Sequence, residues 1–192
     1  PDTLVNFSVT VQNVRGLNTK VDEFYLNLLL SDSDAILLTE TWLEDNIQSS
    51  EYFGQDYDVF RCNRGYRGRG VLVAIKSIYS SKNLNCSLCP VQEVDLIGIR
   101  VYCHYTFVNI APALPSTTYE SIFEYLEQSV NISELTLISG DFNIPDYKVT
   151  NNVVQCRGNV RILREFLTYN SVKQVNQISN AYGNYLDLVL CP

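Results

Sequence analysis

A carboxylate and an amide stand two positions apart directly after an apolar run of the chain, at Asp141 and Asn143. Residues 135–138 (LTLI) are typical of a short buried strand. We expect this strand to break at residues 139–140, and Pro145 prevents it from resuming. Asp141 and Asn143 would then be placed to act on a ligand at the edge of a sheet. The alternative is an ordinary turn, because Gly, Asp, Asn and Pro are also the commonest turn residues.

Polar residues also follow two earlier predicted strands. Residues 4–12 alternate between apolar and polar side chains and end at Asn13, and residues 35–39 are apolar and end at Glu40. An amphipathic helix over residues 21–30 separates the two strands, which makes the unit a crossover between parallel strands. We therefore expect Asn13 and Glu40 to face each other at one edge of the sheet.

A second crossover is predicted in the later part of the sequence. A strand over residues 105–110, a helix over 119–130 and the strand at 135–138 bring Asn109 and Asp141 to one edge. The other predicted elements are strands at 57–61, 71–76, 94–101, 172–175 and 185–190 and a helix at 160–169. Together they predict an α/β fold with mixed sheets, formed as one domain over residues 1–192.

The predicted strand ends supply the oxygen ligands that a hard cation prefers. Mg²⁺ is usually bound by one or two carboxylates together with waters and substrate phosphate oxygens, and Glu40 and Asp141 suit that preference. Zinc prefers His and Cys, but the CxxC at Cys86 and Cys89 has no second pair or nearby His. We therefore expect Mg²⁺, or alternatively Mn²⁺, which would polarise a phosphoryl oxygen and lower the pKa of an attacking water.

The overall composition is that of a soluble globular protein, with 46% hydrophobic and 18% charged residues among 192. No apolar run approaches the ~20 residues that span a bilayer, so we expect no membrane partner. Six scattered cysteines suit reduced thiols in the nucleus or cytoplasm. A net charge of −7 argues against a simple nucleic-acid-binding module, but it leaves open a nuclease with an acidic metal site.

Five short segments of the chain together resemble the endonuclease/exonuclease/phosphatase superfamily. They occur in the order found in that family, at residues 12–17 (QNVRGL), 38–43 (LTETWL), 69–75 (RGVLVAI), 139–143 (SGDFN) and 186–190 (LDLVL). More narrowly, the chain is similar to the apurinic-type endonuclease domain of non-LTR, LINE-type retrotransposons of the jockey-like group. The resemblance implies a four-layer α/β/β/α sandwich of two mixed sheets flanked by helices. It also implies Mg²⁺-dependent cleavage of a target DNA duplex to a 3′-hydroxyl, which primes a reverse transcriptase elsewhere in the same polyprotein.

The resemblance also implies a role for each residue that matches the family motifs. Glu40 is similar to the family's metal ligand, and Asn13 to the Asn that supports this carboxylate and the phosphate. Asp141 resembles the Asp that positions or deprotonates the attacking water, and Asn143 the amide that holds a phosphate oxygen. Asp187 resembles the Asp that orients the catalytic His.

The chain departs from the family pattern at two places. Asn109 stands where relatives have a Tyr, and it could still hydrogen-bond a phosphate. The family's closing Ser-Asp-His motif is absent, so we expect that the C-terminal strand and loop are missing and that the chain is a piece of a longer reading frame. A catalytically dead remnant that binds nucleic acid or has a structural role, or another phosphoesterase of the same fold, is the alternative.

Three further features have two interpretations each. The arginines of the Gly-rich segment, of which we single out Arg67 and Arg69, form either a solvated loop or a contact with the DNA backbone. Trp42 is expected to pack beneath the site, with base stacking as the alternative. His104, the one histidine, is expected in an exposed turn and does not replace the missing catalytic His.

Overall fold

The computed structural model describes residues 6–63, 69–84, 94–101, 105–111, 116–132, 135–148 and 157–192. In these parts of the chain, strands form two sheets that helices flank. The strands are β1 (Val9–Asn13), β2 (Ala35–Thr39), β3 (Tyr57–Cys62), β4 (Val71–Lys76), β5 (Ser81–Asn83), β6 (Asp95–Val101), β7 (Thr106–Ala111), β8 (Thr136–Asp141), β9 (Lys173–Gln174) and β10 (Asp187–Cys191). The helices are α1 (Val21–Ser31), α2 (Ser50–Phe53), α3 (Ser116–Ser129) and α4 (Gly158–Tyr169).

The smaller sheet has the strand order β1-β2-β4-β3 and contains the first predicted crossover. β1 and β2 are parallel with α1 between them, and Asn13 lies opposite Thr39. β1 begins at Val9, and Ser8 before it bonds the carboxylate of Asp34 through its N–H and hydroxyl. Residues 4 and 5, with which the predicted strand began, lie outside the described residues. The parallel pair brings the ends of β1 and β2 together, so Asn13 and Glu40 lie at the same edge.

The larger sheet has the strand order β5-β6-β7-β8-β10-β9. β7 and β8 are parallel, whereas β8 and β10 are antiparallel and place Asp187 directly opposite Asp141. β8 continues through Gly140 to Asp141, so the predicted break at residues 139–140 is wrong. Pairing on both sides keeps this stretch in the sheet, since Gly140 pairs with Ile110 of β7 and with β10.

Gly140 has no room for a side chain, because a Cβ atom there would lie 1.8 Å from the carbonyl oxygen of Ile110. We expect Gly140→Ala to lower the free energy of unfolding by about 3 kcal/mol, since overpacking forces backbone shifts. Urea unfolding followed by circular dichroism measures the loss. Gly183→Ala is the control, because Gly183 also has a positive φ (76°) but open space around its Cβ position. An equal loss in both variants would contradict the steric explanation.

Three clusters of buried hydrophobic residues define the layers. One lies between the two sheets and includes Leu37 of β2 and Ile99 of β6. The second packs α1 and α2 on the outer face of the smaller sheet, and the third packs α3 and α4 on the outer face of the larger one. The predicted four-layer α/β/β/α arrangement is therefore confirmed. Among the helices in the described residues, none combines the length and the apolar character that crossing a bilayer requires.

Candidate active site

The ends of four strands, two from each sheet, meet around the side-chain amide of Asn13. Its Nδ2 donates to Oε1 of Glu40 at 2.9 Å and lies 3.4 Å from Oδ2 of Asp141. The carboxylate of Asp187 also accepts a hydrogen bond from the Asn13 side chain. The structure thus brings together four residues that the sequence placed at strand ends or in the family motifs.

Glu40 and Asn143 have left-handed backbone conformations. The φ angle is 53° at Glu40 and 46° at Asn143. Asn tolerates this region comparatively well, whereas a Glu there is uncommon and has to be held in place by its surroundings. The carbonyl oxygen of Glu40 accepts the N–H of Gly16 at 2.8 Å, which ties the residue to the turn after β1. Asn143 is exposed, and its backbone N–H bonds the carboxylate of Asp141, so its side chain is accessible to a ligand.

Asp141 is the most strongly perturbed carboxylic acid of the site. Burial raises its pKa to about 6, and the nearby carboxylates of Asp187 and Glu40 add to the increase. The N–H of Asn143 and the guanidinium of Arg15 act in the opposite direction. A carboxyl group with this pKa is poised to exchange a proton near neutral pH.

Asp187 is subject to the same kind of perturbation. Burial is the main cause that raises the pKa of Asp187, and the charge of Glu40 raises it further. Arg15 and the hydrogen bond from Asn13 lower it in part. Negative charge thus accumulates at this edge with only partial compensation, which makes the site suited to binding a cation.

The oxygen atoms of this site suit a hard divalent metal that keeps part of its water shell, rather than a metal whose ligands all come from the protein. Oδ1 of Asp141 is buried and has no hydrogen-bond partner among the described residues, so it is available to a metal or to a metal-bound water. Within the same part of the chain, no three His, Cys, Asp or Glu side chains have the spacing to hold one metal ion. Mg²⁺ does not need such a cluster, because it usually keeps several waters and uses one or two carboxylates. Glu40, with Asn13 beside it, and Asp141 match that requirement.

Arg15 is a site residue that the sequence analysis did not single out. It is exposed, its φ is 47°, and its N–H donates to Oδ1 of Asn13 at 3.3 Å. Its charge lowers the pKa of both Asp141 and Asp187. The available signal was its position two residues after Asn13, at the turn where β1 ends.

Asn109 does not have the predicted position at the site. Its side chain is 0% exposed, and its Nδ2 donates to the carbonyl oxygens of Leu38 at 2.8 Å and Leu72 at 3.1 Å. The Oγ of Ser139 donates to its Oδ1 at 3.3 Å. A phosphate could not reach this amide, so the predicted phosphate contact of Asn109 is wrong. The residue faces the other sheet because it lies on the inner face of β7.

Trp42 and Arg69 border the site. The indole ring of Trp42 covers Gly16, where a Cβ atom would lie 2.5 Å from the ring, and this agrees with the predicted packing role. Arg69 is partly exposed, and its carbonyl oxygen accepts the N–H of Trp42 at 3.0 Å. Arg67 and His104 lie outside the described residues.

Comparison with known proteins identifies the fold. Neither a protein-family model nor a curated protein sequence matches the chain. The endonuclease domain of TRAS1, a telomere-specific non-LTR retrotransposon, aligns with a TM-score of 0.64 and 14% identity, over 97% of this chain and 85% of that domain.

Two further solved structures are similar to the same extent. The 3′ phosphatase NExo (D146N) from Neisseria, bound to product DNA hairpin, aligns with a TM-score of 0.68 and 13% identity, over 97% of this chain and 86% of NExo. An AP endonuclease from Archaeoglobus fulgidus aligns with a TM-score of 0.61 and 14% identity, over 96% of this chain and 86% of that protein. The chain therefore has the endonuclease/exonuclease/phosphatase fold that the sequence motifs predicted.

Proposed function

We propose that this chain is a Mg²⁺-dependent phosphodiester hydrolase that nicks DNA, of the kind carried by non-LTR retrotransposon polyproteins. The observation that supports this most strongly is the acidic cluster around Asn13. In this cluster Asp141 has a raised pKa, and its buried Oδ1 has no hydrogen-bond partner in the part of the chain that the structure describes. The fold and the similarity to a retrotransposon endonuclease domain support the same conclusion.

Asp141 is the general base in this proposal. It holds the attacking water and accepts its proton as the water oxygen bonds to phosphorus, and its pKa near 6 leaves it ionised but still basic at neutral pH. The P–O3′ bond then breaks, the departing O3′ takes up a proton from solvent water, and a 3′-hydroxyl and a 5′-phosphate result. The exposed amide of Asn143 donates to a phosphate oxygen as negative charge develops on it.

Glu40 would bind Mg²⁺, or Mn²⁺ in its place, with Asn13 orienting its carboxylate through the 2.9 Å hydrogen bond. When bound, the metal would neutralise phosphate charge and polarise the phosphoryl oxygen. Asp187 lies opposite Asp141 and contributes to the raised pKa of that residue. The orientation of a catalytic histidine by Asp187, which the family resemblance implies, stays a prediction.

The proposed partners are a target-site DNA duplex and, within one polyprotein, a reverse transcriptase that extends the 3′-hydroxyl. Arg69 lies directly before Gly70 beside the site and is proposed to contact the DNA backbone together with Arg67. This activity would be exercised in the nucleus and cytoplasm.

Nicking of supercoiled plasmid tests the proposal. With Mg²⁺ present, the chain should convert plasmid to the open circle slowly, because the Ser-Asp-His motif that is expected to supply the catalytic His is absent. A DNA polymerase should extend the nick because its end is a 3′-hydroxyl. Glu40→Gln should reduce the rate at least about 100-fold, since loss of a metal ligand costs no less than loss of a supporting residue. Glu44→Gln, an exposed carboxylate four residues later, is the matched control. DNA binding without nicking would favour a binding domain, and release of phosphate from 3′-phosphate ends alone would favour a phosphatase.

Metal binding and catalysis should respond differently to two substitutions in this site. Glu40→Gln removes the main anionic ligand and should weaken Mn²⁺ binding, whereas Asn143→Ala should leave metal affinity within about twofold and reduce kcat by roughly 10²–10³-fold. Electron paramagnetic resonance of free Mn²⁺ measures the affinities. Equal loss of affinity in both variants, or none in either, would remove Glu40 from the metal role.

A further inference from the structure

Two buried polar side chains of the larger sheet cross to the smaller one beneath the acidic cluster. The first is Asn109 of β7, whose amide donates to the carbonyl oxygens of Leu38 and Leu72 at 2.8 and 3.1 Å. Leu38 and Leu72 are directly paired between β2 and β4, so one amide contacts both strands at the same level. The hydroxyl of Ser139 bonds the amide oxygen and keeps the amide nitrogen directed toward the other sheet.

The second crossing is made by Asp95, the first residue of β6, which is 1% exposed. Its Oδ2 accepts the N–H of Gly70 at 2.9 Å. The carbonyl oxygen of Gly70 in turn accepts the N–H of Thr41 at 3.2 Å. The contact is close, because a Cβ atom on Gly70 would lie 2.6 Å from Oγ1 of Thr41. Asp95 therefore acts through one intervening residue on the backbone that follows Glu40.

These two crossings lie on either side of Glu40 in the sequence. Leu38 precedes it by two residues, and Thr41 follows it directly. Glu40 has a left-handed backbone with φ 53°, a conformation that persists in a non-glycine residue only when its surroundings hold it. Apolar packing between the sheets is non-directional and does not define how one sheet is placed along the other. Directional hydrogen bonds in a buried location do define it.

We propose that Asn109 and Asp95 are positioning residues that hold the backbone on both sides of Glu40 and so place its carboxylate opposite Asp141 and Asp187 of the other sheet. Glu40 and Asn13 belong to the smaller sheet, and both aspartates belong to the larger one. A small displacement between the sheets would therefore separate the two halves of the site. This inference rests on the proposed function, since it assigns the two residues to the geometry of that same site.

The test uses variants of the full chain. Some of them remove the hydrogen bonds that Asn109 or Asp95 makes to the smaller sheet, and one removes a buried hydroxyl elsewhere. Asn109→Leu and Asp95→Leu remove the crossing hydrogen bonds at similar volume, and Asp95→Asn keeps an oxygen that can accept the Gly70 N–H. The control is Thr136→Val on β8, a buried hydroxyl at the other end of the larger sheet that bonds the carbonyl oxygen of Asn131. All variants are measured well below their unfolding midpoints.

Both Leu variants should raise the Kd for Mn²⁺ at least about fivefold and lower kcat for plasmid nicking about 10–100-fold, with KM for DNA nearly unchanged, because supporting residues act at this scale. In Asp95→Asn, the Kd for Mn²⁺ and kcat should stay within about threefold of the values of the original chain. In Asp95→Leu, the amide of Thr41 should lose hydrogen-exchange protection in metal-free protein. Thr136→Val should change none of these quantities by more than about twofold, even where its urea midpoint falls equally.

If the loss of activity in each variant, including Thr136→Val, depends only on how far its urea unfolding midpoint falls, the positioning role is overturned. Unchanged Mn²⁺ affinity and kcat in both Leu variants would also overturn it. If the original chain neither binds Mn²⁺ nor nicks plasmid, the proposed function itself fails and the positioning role fails with it. If the original chain binds Mn²⁺ and nicks plasmid, but the two Leu variants change these quantities no more than Thr136→Val does, the proposed function stands. The positioning role alone is then rejected.

Discussion

Replacing Asp141 by Asn will make the metal-free chain more stable at neutral pH while it removes nicking activity. The pKa of Asp141 is raised to about 6 in the folded chain, so the folded state favours the protonated form more than the unfolded state does. The sign follows from proton binding: stability falls as pH rises through the interval between the unfolded pKa and about 6, and the penalty is complete above it. Asn carries no charge and does not incur this penalty.

The expected gain for Asp141→Asn is about 1–3 kcal/mol at pH 8, with a smaller gain at pH 5, since each pKa unit corresponds to roughly 1.4 kcal/mol. Nicking should fall about 10²–10⁴-fold, the usual contribution of a general base. Urea unfolding in EDTA at the two pH values and plasmid nicking at pH 8 measure these effects. Asp146→Asn, an exposed carboxylate five residues later, is the control. A stability gain that is equal at both pH values would show that charge burial at Asp141 is not its source.

Asn13→Asp is expected to have the opposite effect on stability and an equally severe effect on activity. Asn13 donates to Glu40 and lies close to Asp141, and Asp187 also accepts a hydrogen bond from its side chain. The substitution keeps the shape, removes both donor hydrogens and places a further carboxylate among the existing ones. A like charge at this distance disfavours the ionised form of each neighbour, so the pKa of Asp141 should rise further.

We expect Asn13→Asp to destabilise the metal-free chain by about 3–5 kcal/mol at pH 8, the usual cost of an uncompensated buried charge. Nicking should decrease at least about 100-fold. Asn18→Asp is the matched control, since the Asn18 side chain accepts the hydroxyl proton of Tyr52, which a carboxylate also does. If Mn²⁺ restores the lost stability, the deficit is electrostatic. If unfolding of Asn13→Asp matches that of the control, Asn13 does not bridge the carboxylates.

The residues of the site come from both sheets, and this explains how three carboxylates can be held close together at one edge. Asn13 and Glu40 come from a parallel pair in one sheet, whereas Asp141 and Asp187 face each other on neighbouring antiparallel strands of the other sheet. Each sheet is stabilised by its own hydrophobic cluster, which can offset the unfavourable placement of the carboxylates. Function then depends on how the two sheets are placed relative to each other.

The local pattern of apolar and polar residues was sufficient to predict the helices and strands of the two crossovers and part of the candidate site. Apolar runs and helical periodicity predicted the two crossovers, and strand direction then required Asn13 and Glu40 to lie at one edge, because parallel strands end on the same side. The motif resemblance supplied Asp187, which local pattern alone left as one residue of a strand. These inferences succeeded because each depends on neighbours in the chain or on the direction of a strand.

Only the tertiary structure decided which polar groups meet, because that depends on partners far apart in the chain. Asn13 and Asp141 are 128 positions apart, and their contact requires the packing of one sheet on the other. Alternation along β7 could not tell which face would meet the smaller sheet, so Asn109 was predicted at the phosphate although it is buried between the sheets. The raised pKa of Asp141 has the same origin, since burial and the charges of Asp187 and Glu40 act on it only after the sheets have packed.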